Sequence, residues 1–289
     1  MTRLTLPAPA KLNLFLHITG RRKDGYHELE TLFQFLTLAD QLHFQLVAED
    51  VIRVSPSLPG VALQDHLVFR AAQLLAPYRS DARGIQIEIE KNLPMGGGVG
   101  GGSSDAATTL LALNYLWELN LSLEQLAILG LKLGADVPIF VYGAASFAQG
   151  VGEKLTPVTP PENWYLLVHP GVHISTAAVF SHPELPRNTP KLTANDPITD
   201  WQIHHNDCES LVCSLYPQVA TAREWLLKYG PSRLTGTGAC LFTCFSSENE
   251  ARQALHALPS TFRGFLARGV NRSPAHVALA ALTEASTGA

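Results

Sequence analysis

Residues 93 to 107 read L-P-M-G-G-G-V-G-G-G-S-S-D-A-A, and six of the seven residues from Gly96 to Gly102 are glycine. Glycine loses the most backbone entropy on ordering and has no side chain to bury, so neither a packed helix nor a packed strand favours this run. What it offers is main-chain N–H groups that a ligand can approach without a Cβ in the way. A helical pattern follows, and the first-turn N–H groups of a helix lack intrahelical partners and carry roughly half a positive charge. Loop and helix start together make an anion site that suits a di- or triphosphate. The loop is not a Walker A sequence, because Ser103 and Ser104 stand where Lys-Ser or Lys-Thr would be needed. A G-x-G-x-x-G match (Gly96, Gly98, Gly101) lacks its Rossmann context: the preceding strand alternates, and Glu118 and Glu124 fall in helical patterns.

A triphosphate in transfer needs a cation to balance developing charge, and the loop brings none of its own. Lys11 and Asn13 are candidates for the reaction centre, two apart on one face of a strand. Asp136, in A-D-V-P, admits two readings: the N-cap of a short helix with Pro138 in its first turn, or a carboxylate held near a lysine as a general base. Tyr26-His27, directly after an Asp-Gly turn, sets an aromatic beside an imidazole, a pair that can stack on and hydrogen-bond a heterocycle.

The elements that position these residues follow from periodicity. Residues 9–18 alternate, with Leu12, Leu14, Leu16 and Ile18 on one face and Lys11, Asn13, Phe15 and His17 on the other. Segments 29–38 and 43–54 read as strands of a mixed sheet, and Asp65-His66-Leu67 opens a helix to about Ala76. Ile85, Ile87 and Ile89 alternate with polar residues just before the glycine run. Ser103 or Ser104 is the expected cap of the helix after it, with Asp105 in the first turn. Ser122 to Gln125 is a capping box for a further helix, ended by Gly134 as C′ residue, and 142–155 reads as a strand pair. The proline-rich segment 156–161 is the expected boundary between domains 1–156 and 157–289. Beyond it, strands near 164–169, 239–245 and 262–270 and helices near 176–180, 207–215, 218–229 and 248–258 predict an α+β sandwich of the ferredoxin type. Gly236-Thr237-Gly238 is a second tight loop, a simple turn unless it comes close to the first.

Composition narrows the class. The 289 residues are 46% hydrophobic, ample for a packed core and more natural as two domains than one. Net charge is −4 and no basic block exceeds Arg21-Arg22-Lys23, which argues against nucleic acid as partner. Cys208, Cys213, Cys240 and Cys244 show no C-x-x-C spacing; buried thiols are expected rather than a zinc site recruiting His204 and His205, and no metal ligands are assigned. No run reaches membrane-spanning length, and Pro7, Pro9 and Lys11 interrupt any signal-peptide core, so a cytoplasmic protein is expected.

Five stretches stand in one order: P-A-K-L-N-L, D-G-Y-H-E-L, L-P-M-G-G-G-V-G-G-G-S-S-D-A-A, L-G-A-D-V-P-I-F and R-L-T-G-T-G-A-C-L-F. Together they resemble the GHMP kinase superfamily, and within it the branch whose alcohol substrate carries a cytidine diphosphate; the likeness runs from about Pro9 to Pro274. The resemblance implies an N-terminal α+β domain of the ribosomal-protein-S5 type joined to a ferredoxin-like domain, with the active site between them. It implies phosphoryl transfer from ATP, with Mg²⁺ expected to accompany the nucleotide. The family's catalytic lysine and aspartate fall on Lys11 and Asp136. Its ATP loop falls on Pro94 to Ser104, with Gly96, Gly97, Gly98, Gly100, Gly101, Gly102, Ser103 and Ser104 as contacts. Its cytosine-holding aromatics and histidine fall on Tyr26, His27 and Phe180, and Asn13, Val151 and Thr176 are further substrate-side positions. One departure is Asp65-His66-Leu67 where many relatives have Asp-Asn-Leu; an imidazole cannot reproduce an amide's paired donor and acceptor, so adenine contacts there should differ. A monomer or weak homodimer is expected. A GHMP kinase for another small alcohol, such as mevalonate or homoserine, and a nucleotide-binding protein without turnover are the alternatives at this point.

Overall fold

The computed structural model describes residues 3–57, 60–193 and 195–287. Two long strands form its axis. β1 (Arg3–Arg21) and β2 (His27–Val47) pair antiparallel across the Asp24-Gly25 turn. β1 is longer than the 9–18 segment and is buried on both faces over most of its length, so Lys11 and Asn13 do not lie on a solvated face. β2 fuses the expected 29–38 strand with the first part of the expected 43–54 strand, whose end, 52–54, lies in a separate strand. Asp40 can sit within β2 because its carboxylate is fully partnered, by Lys91 and by the backbone N–H groups of Asn92 (2.5 Å) and Leu93 (2.8 Å).

β2 carries the rest of the sheet. Its residues 29–33 pair with β5 (Ser146–Gly150), 35–36 with β10 (Arg263–Val270) and 41–47 with β4 (Gly84–Glu90). β6 (Lys154–Pro157) pairs antiparallel with β5, so the strand pair runs over 146–157 instead of 142–155. β3 (Ile52–Ser55) runs parallel to β4, with α1 (Leu67–Leu75) in the crossover that a parallel pair requires. α2 (Gly101–Leu116) packs on α1 and β1, and α3 (Leu123–Leu131) and α4 (Val137–Tyr142) complete the helical layer.

Several local expectations shift. α2 begins at Gly101 with left-handed Gly100 as its cap, so Ser103 and Ser104 lie inside the helix and Asp105 falls beyond its first turn. No side chain caps it; the glycine supplies the turn directly. The Ser122–Gln125 capping box is present, but α3 already ends with Lys132 as cap, and Gly134 lies past the C′ position. Tyr142 closes α4 instead of opening a strand.

In the second half β7 (Trp164–His169), β8 (Ser232–Leu234), β9 (Leu241–Phe245) and β10 pair antiparallel in the order β10-β7-β9-β8. Numbered within that unit, the order is 4-1-3-2, the arrangement of a split β-α-β sandwich. α5 (Thr176–Ser181), α6 (Glu209–Leu215), α7 (Pro217–Leu226) and α8 (Glu248–His256) provide its helices. The short β8 and the terminal helix α9 (Pro274–Thr287) have no counterpart in the sequence reading; α9 returns to pack on β1, and Ala278 and Leu279 join the first core. Each half has its own core. A third cluster bridges them, in which Ala10, Leu12, Leu14 and Val99 meet Tyr165, Cys240 and Phe242. Val99 of the glycine loop and Cys240, just beyond Gly236-Thr237-Gly238, both belong to that cluster.

Candidate active site

β1 shifts register between Pro9 and Lys11, which frees the Lys11 N–H to bond the Val99 carbonyl of the glycine loop at 3.0 Å. Strand and loop are thereby stitched together at the lysine. The loop is held from its other side by the second half, where Ala239 N–H and Cys240 N–H bond the carbonyls of Gly96 (3.1 Å) and Gly97 (3.2 Å). Gly236-Thr237-Gly238 is therefore more than a turn, since it lies against the first loop: a Cβ on Gly236 would sit 3.2 Å from the Gly98 carbonyl oxygen.

The Lys11 side chain is 3% exposed, and its ammonium is surrounded by matched groups. Nζ donates to Asn13 Oδ1 at 2.5 Å, lies 3.2 Å from Asp136 Oδ2 and stands 5.1 Å from the Phe33 ring centroid. Asn13 is fixed in turn: its Nδ2 donates to Thr31 Oγ1 (2.9 Å) and its backbone N–H to Thr235 Oγ1 (3.0 Å). Asp136 resolves its two readings by occupying the cap position of α4 without making a side-chain cap bond. Its carboxylate is directed to Lys11 instead and is 37% exposed, so it remains reachable by a ligand. A buried ammonium that faces one partly open carboxylate can stabilise an anion forming beside it, and that carboxylate can take a proton.

Three cavities join at these residues. One of about 410 Å³ is lined by Pro94, the glycines from Gly96 to Gly102 and Ser103, together with His66, Lys91 and Asp105. A second, about 370 Å³, holds Lys11, Asn13, Asp136, Val151, Thr176 and Phe180, and shares Gly98, Gly100 and Ser103 with the first. A third, about 510 Å³, is lined by Tyr26, His27, Val151, Thr176 and Phe180. The resulting trough runs from the glycine loop past the lysine–aspartate pair to an aromatic pocket. Ser104 is the candidate left out: it is fully buried and lines none of these cavities, because the helix start at Gly101 turns position 104 inward.

The aromatic pocket is asymmetric. Tyr26 is 62% exposed, whereas His27 is 7% exposed and stacks on Phe180 with centroids 5.1 Å apart. Burial, then the charges of Arg187 and Arg21, hold the His27 pKa below the ordinary imidazole value. At the other end, His66 caps α1 by accepting the Val68 N–H at its Nδ1 (3.3 Å); burial and Lys91 lower its pKa, so the departure from Asn preserves the helix start.

Sequence reasoning missed the buttress of the glycine loop. Lys91 bridges Asp40 on β2 and Asp105 on α2 (2.9 Å to the latter), tying together the two ends of the loop. Burial pushes the Asp105 carboxyl up to about 7, against the pull of Lys91, with the Asp40 charge adding to the rise. Asp40 in the L-T-L-A-D run and a lysine two residues before L-P-M-G were the available signals. Thr31 and Thr235 gave none, since only the fold brings them to Asn13. Among the described residues no group of three His, Cys, Asp or Glu side chains could hold a metal by itself, and the four cysteines are unpaired. No described helix is long and apolar enough to cross a membrane.

Two family descriptions match, GHMP kinases N terminal domain over residues 66–144 and GHMP kinases C terminal over 202–264. The chain is 58% identical over 275 residues to the 4-diphosphocytidyl-2-C-methyl-D-erythritol kinase of Shewanella sp. (strain ANA-3), covering 94% of this chain and 96% of that protein. It is 55% identical over 285 residues to the protein of the same name from Marinobacter nauticus, covering 98% and 99%. A crystal structure of 4-(cytidine 5'-diphospho)-2C-methyl-D-erythritol kinase superposes with TM-score 0.81 at 32% identity, over 92% of this chain and 99% of that one. A mevalonate kinase structure shares the fold at TM-score 0.67 and 19% identity, over 93% and 100%.

Proposed function

The chain belongs to the 4-diphosphocytidyl-2-C-methyl-D-erythritol kinase family of GHMP kinases, and from that premise we propose how its own residues carry out the reaction. The chain is an ATP-dependent kinase that phosphorylates the 2-hydroxyl of 4-diphosphocytidyl-2-C-methyl-D-erythritol in non-mevalonate isoprenoid precursor biosynthesis. The glycine loop and the start of α2 hold the ATP phosphates through backbone N–H groups. The aromatic pocket takes the cytidine diphosphate end, with Tyr26 and Phe180 as its rings, and Val151 and Thr176 border the path to the alcohol.

In the transfer, the substrate oxygen bonds the γ-phosphorus as the bond to the β,γ-bridging oxygen breaks and ADP leaves. Asp136 orients the hydroxyl and accepts its proton. Lys11 favours negative charge on the attacking oxygen, and Asn13 holds Lys11 in that role. Such transfers are catalysed mainly by positioning and charge stabilisation, so alignment of the oxygen matters as much as the base. Mg²⁺ fits as an ion arriving with the nucleotide. Ser103 lines both the loop cavity and the reaction cavity, and Asp136 adds one partly exposed carboxylate, a sparse set of hard oxygen donors such as Mg²⁺ shares with phosphates. Mg²⁺ supplies charge neutralisation on the phosphates when bound. Four unpaired cysteines are in keeping with a cytoplasmic location.

The observation that carries the assignment of roles is the 3.2 Å approach of Lys11 to Asp136 at the junction of two cavities. Lys11→Ala and Asp136→Asn should each lower kcat by a factor on the order of 10² or more while ATP still binds. Near-normal turnover by both variants removes the proposed mechanism.

A further inference from the structure

Behind the aromatic pocket, outside its lining, stands Arg187. It follows α5 in a proline-punctuated segment, and all five N–H donors of its guanidinium are engaged. Nη2 donates to the carbonyls of His182 (2.7 Å) and Phe180 (3.0 Å), and Nη1 to those of Leu185 (2.9 Å) and Pro183 (3.4 Å). The Phe180 and His182 carbonyls belong to the C-terminal end of α5, where helical carbonyls lack partners and a cation is favoured. The fifth donor crosses to the other half of the chain: Nε donates to His27 Nε2 at 3.0 Å. One side chain thus holds the strand that carries His27 and the helix that carries Phe180.

The bond to His27 has a chemical consequence. A guanidinium donates only, so His27 Nε2 must present its lone pair, and in the neutral ring the proton then sits on Nδ1. Burial and the positive charges of Arg187 and Arg21, which faces His27 across the β1–β2 pair, keep the ring neutral. Asp24 lines the same cavity and is the acidic group on that wall. Stacking on Phe180 fixes the ring plane, and Arg187 fixes rotation about it.

We propose that Arg187 is a positioning residue for the base pocket: it locks His27 as the Nδ1–H tautomer, ties it to the Phe180 wall before any ligand arrives, and so sets affinity for the cytidine diphosphate end of the substrate. This rests on the proposed assignment of that pocket to the cytosine-bearing group. Arg187 touches no reacting atom, and its effect falls on binding of one substrate and not on the chemical step.

The test uses the full chain with Arg187→Gln, and Arg187→Lys as a second variant that keeps the charge but not the five-donor fork. Nitrogen-15 NMR of the His27 ring in the unliganded protein should show Nε2 unprotonated and Nδ1 protonated, and the Gln variant should lose that pattern. CDP binding, measured by calorimetry, should weaken about tenfold or more in the Gln variant, the scale of losing a charge-assisted hydrogen bond, and by less in the Lys variant. ATP affinity and kcat at saturating substrate should stay within about threefold of the parent, so that the loss appears in KM for the cytidine substrate. Parental CDP affinity in both variants, or ATP and CDP affinities falling together, overturns the proposal. If the parent protein shows the stated tautomer yet fails to bind CDP, the pocket assignment fails while the hold of Arg187 on His27 stands.

Discussion

Gly98→Ala tests whether the two loops must touch for the nucleotide site to exist. Gly98 has φ +73°, a conformation that costs a residue with a Cβ roughly 1 kcal/mol or more. The added methyl would overlap the Thr235 carbonyl oxygen and lie 2.9 Å from that of Gly238. Neither carbonyl can rotate away easily, because Thr235 O accepts the Gly238 N–H (3.0 Å) and the Gly238 carbonyl shares its peptide with the Ala239 N–H, which bonds Gly96 O (3.1 Å). Relief therefore requires the loops to part, at the expense of the Ala239–Gly96 and Cys240–Gly97 bonds, each worth about 1 kcal/mol. Together these put the native loop arrangement about 3 kcal/mol higher, and apparent affinity falls with the competent fraction, so kcat/KM for ATP should drop on the order of 10²-fold. Gly171→Ala is the control: φ there is +78°, but nothing lies within 4 Å of the new methyl, so it isolates backbone strain from collision. The readout is ADP release in a coupled assay across ATP concentrations, with thermal melts of both variants. If Gly98→Ala stays within about threefold of Gly171→Ala in kcat/KM for ATP, the loop-to-loop contact is not what holds the phosphate site.

Two further outcomes follow from buried charge. Asp40→Asn leaves Lys91 with only Asp105 and weakens the anchoring of the Asn92 and Leu93 N–H groups; urea titration should show a loss of about 3 kcal/mol, with KM for ATP rising more than KM for the alcohol. Stability should also depend on His17, whose pKa is lowered to about 4 by burial, by His205, His204 and Arg233, and against Asp207. Because the folded value lies below the unfolded one, this contribution is complete above about pH 6.5 and is lost as pH falls toward 4, on the order of 3 kcal/mol in all. His17→Leu, which also removes two unpartnered buried nitrogens, should flatten unfolding free energy against pH over that window; an unchanged slope would contradict the assignment.

The sequence by itself determined the local pieces and the chemical roster. A glycine run between an alternating strand and a helix start can be read locally as an anion loop, because backbone entropy and the helix terminus act over a few residues. The strand-helix succession of the second half was enough to expect a ferredoxin-type sandwich, whereas the short β8 and the 4-1-3-2 order it completes came only with the structure. Lys11, Asn13, Asp136 and Tyr26-His27 were legible as chemistry-bearing types. Tertiary structure alone decided which partners they meet. Asp136 looked like a helix cap and became the partner of Lys11, 125 positions away, since cap geometry is local whereas an ion pair is not. Asp40 with Lys91, Asn13 with Thr31 and Thr235, and Arg187 with His27 are joined across 18 to 222 positions by side chains whose local sequence does not name the partner. Ser104 was withdrawn from the cleft by one turn's difference in where α2 begins. Periodicity fixes which face a residue takes within its own element; the packing of one element on another fixes what that face meets, and catalysis depends on the second.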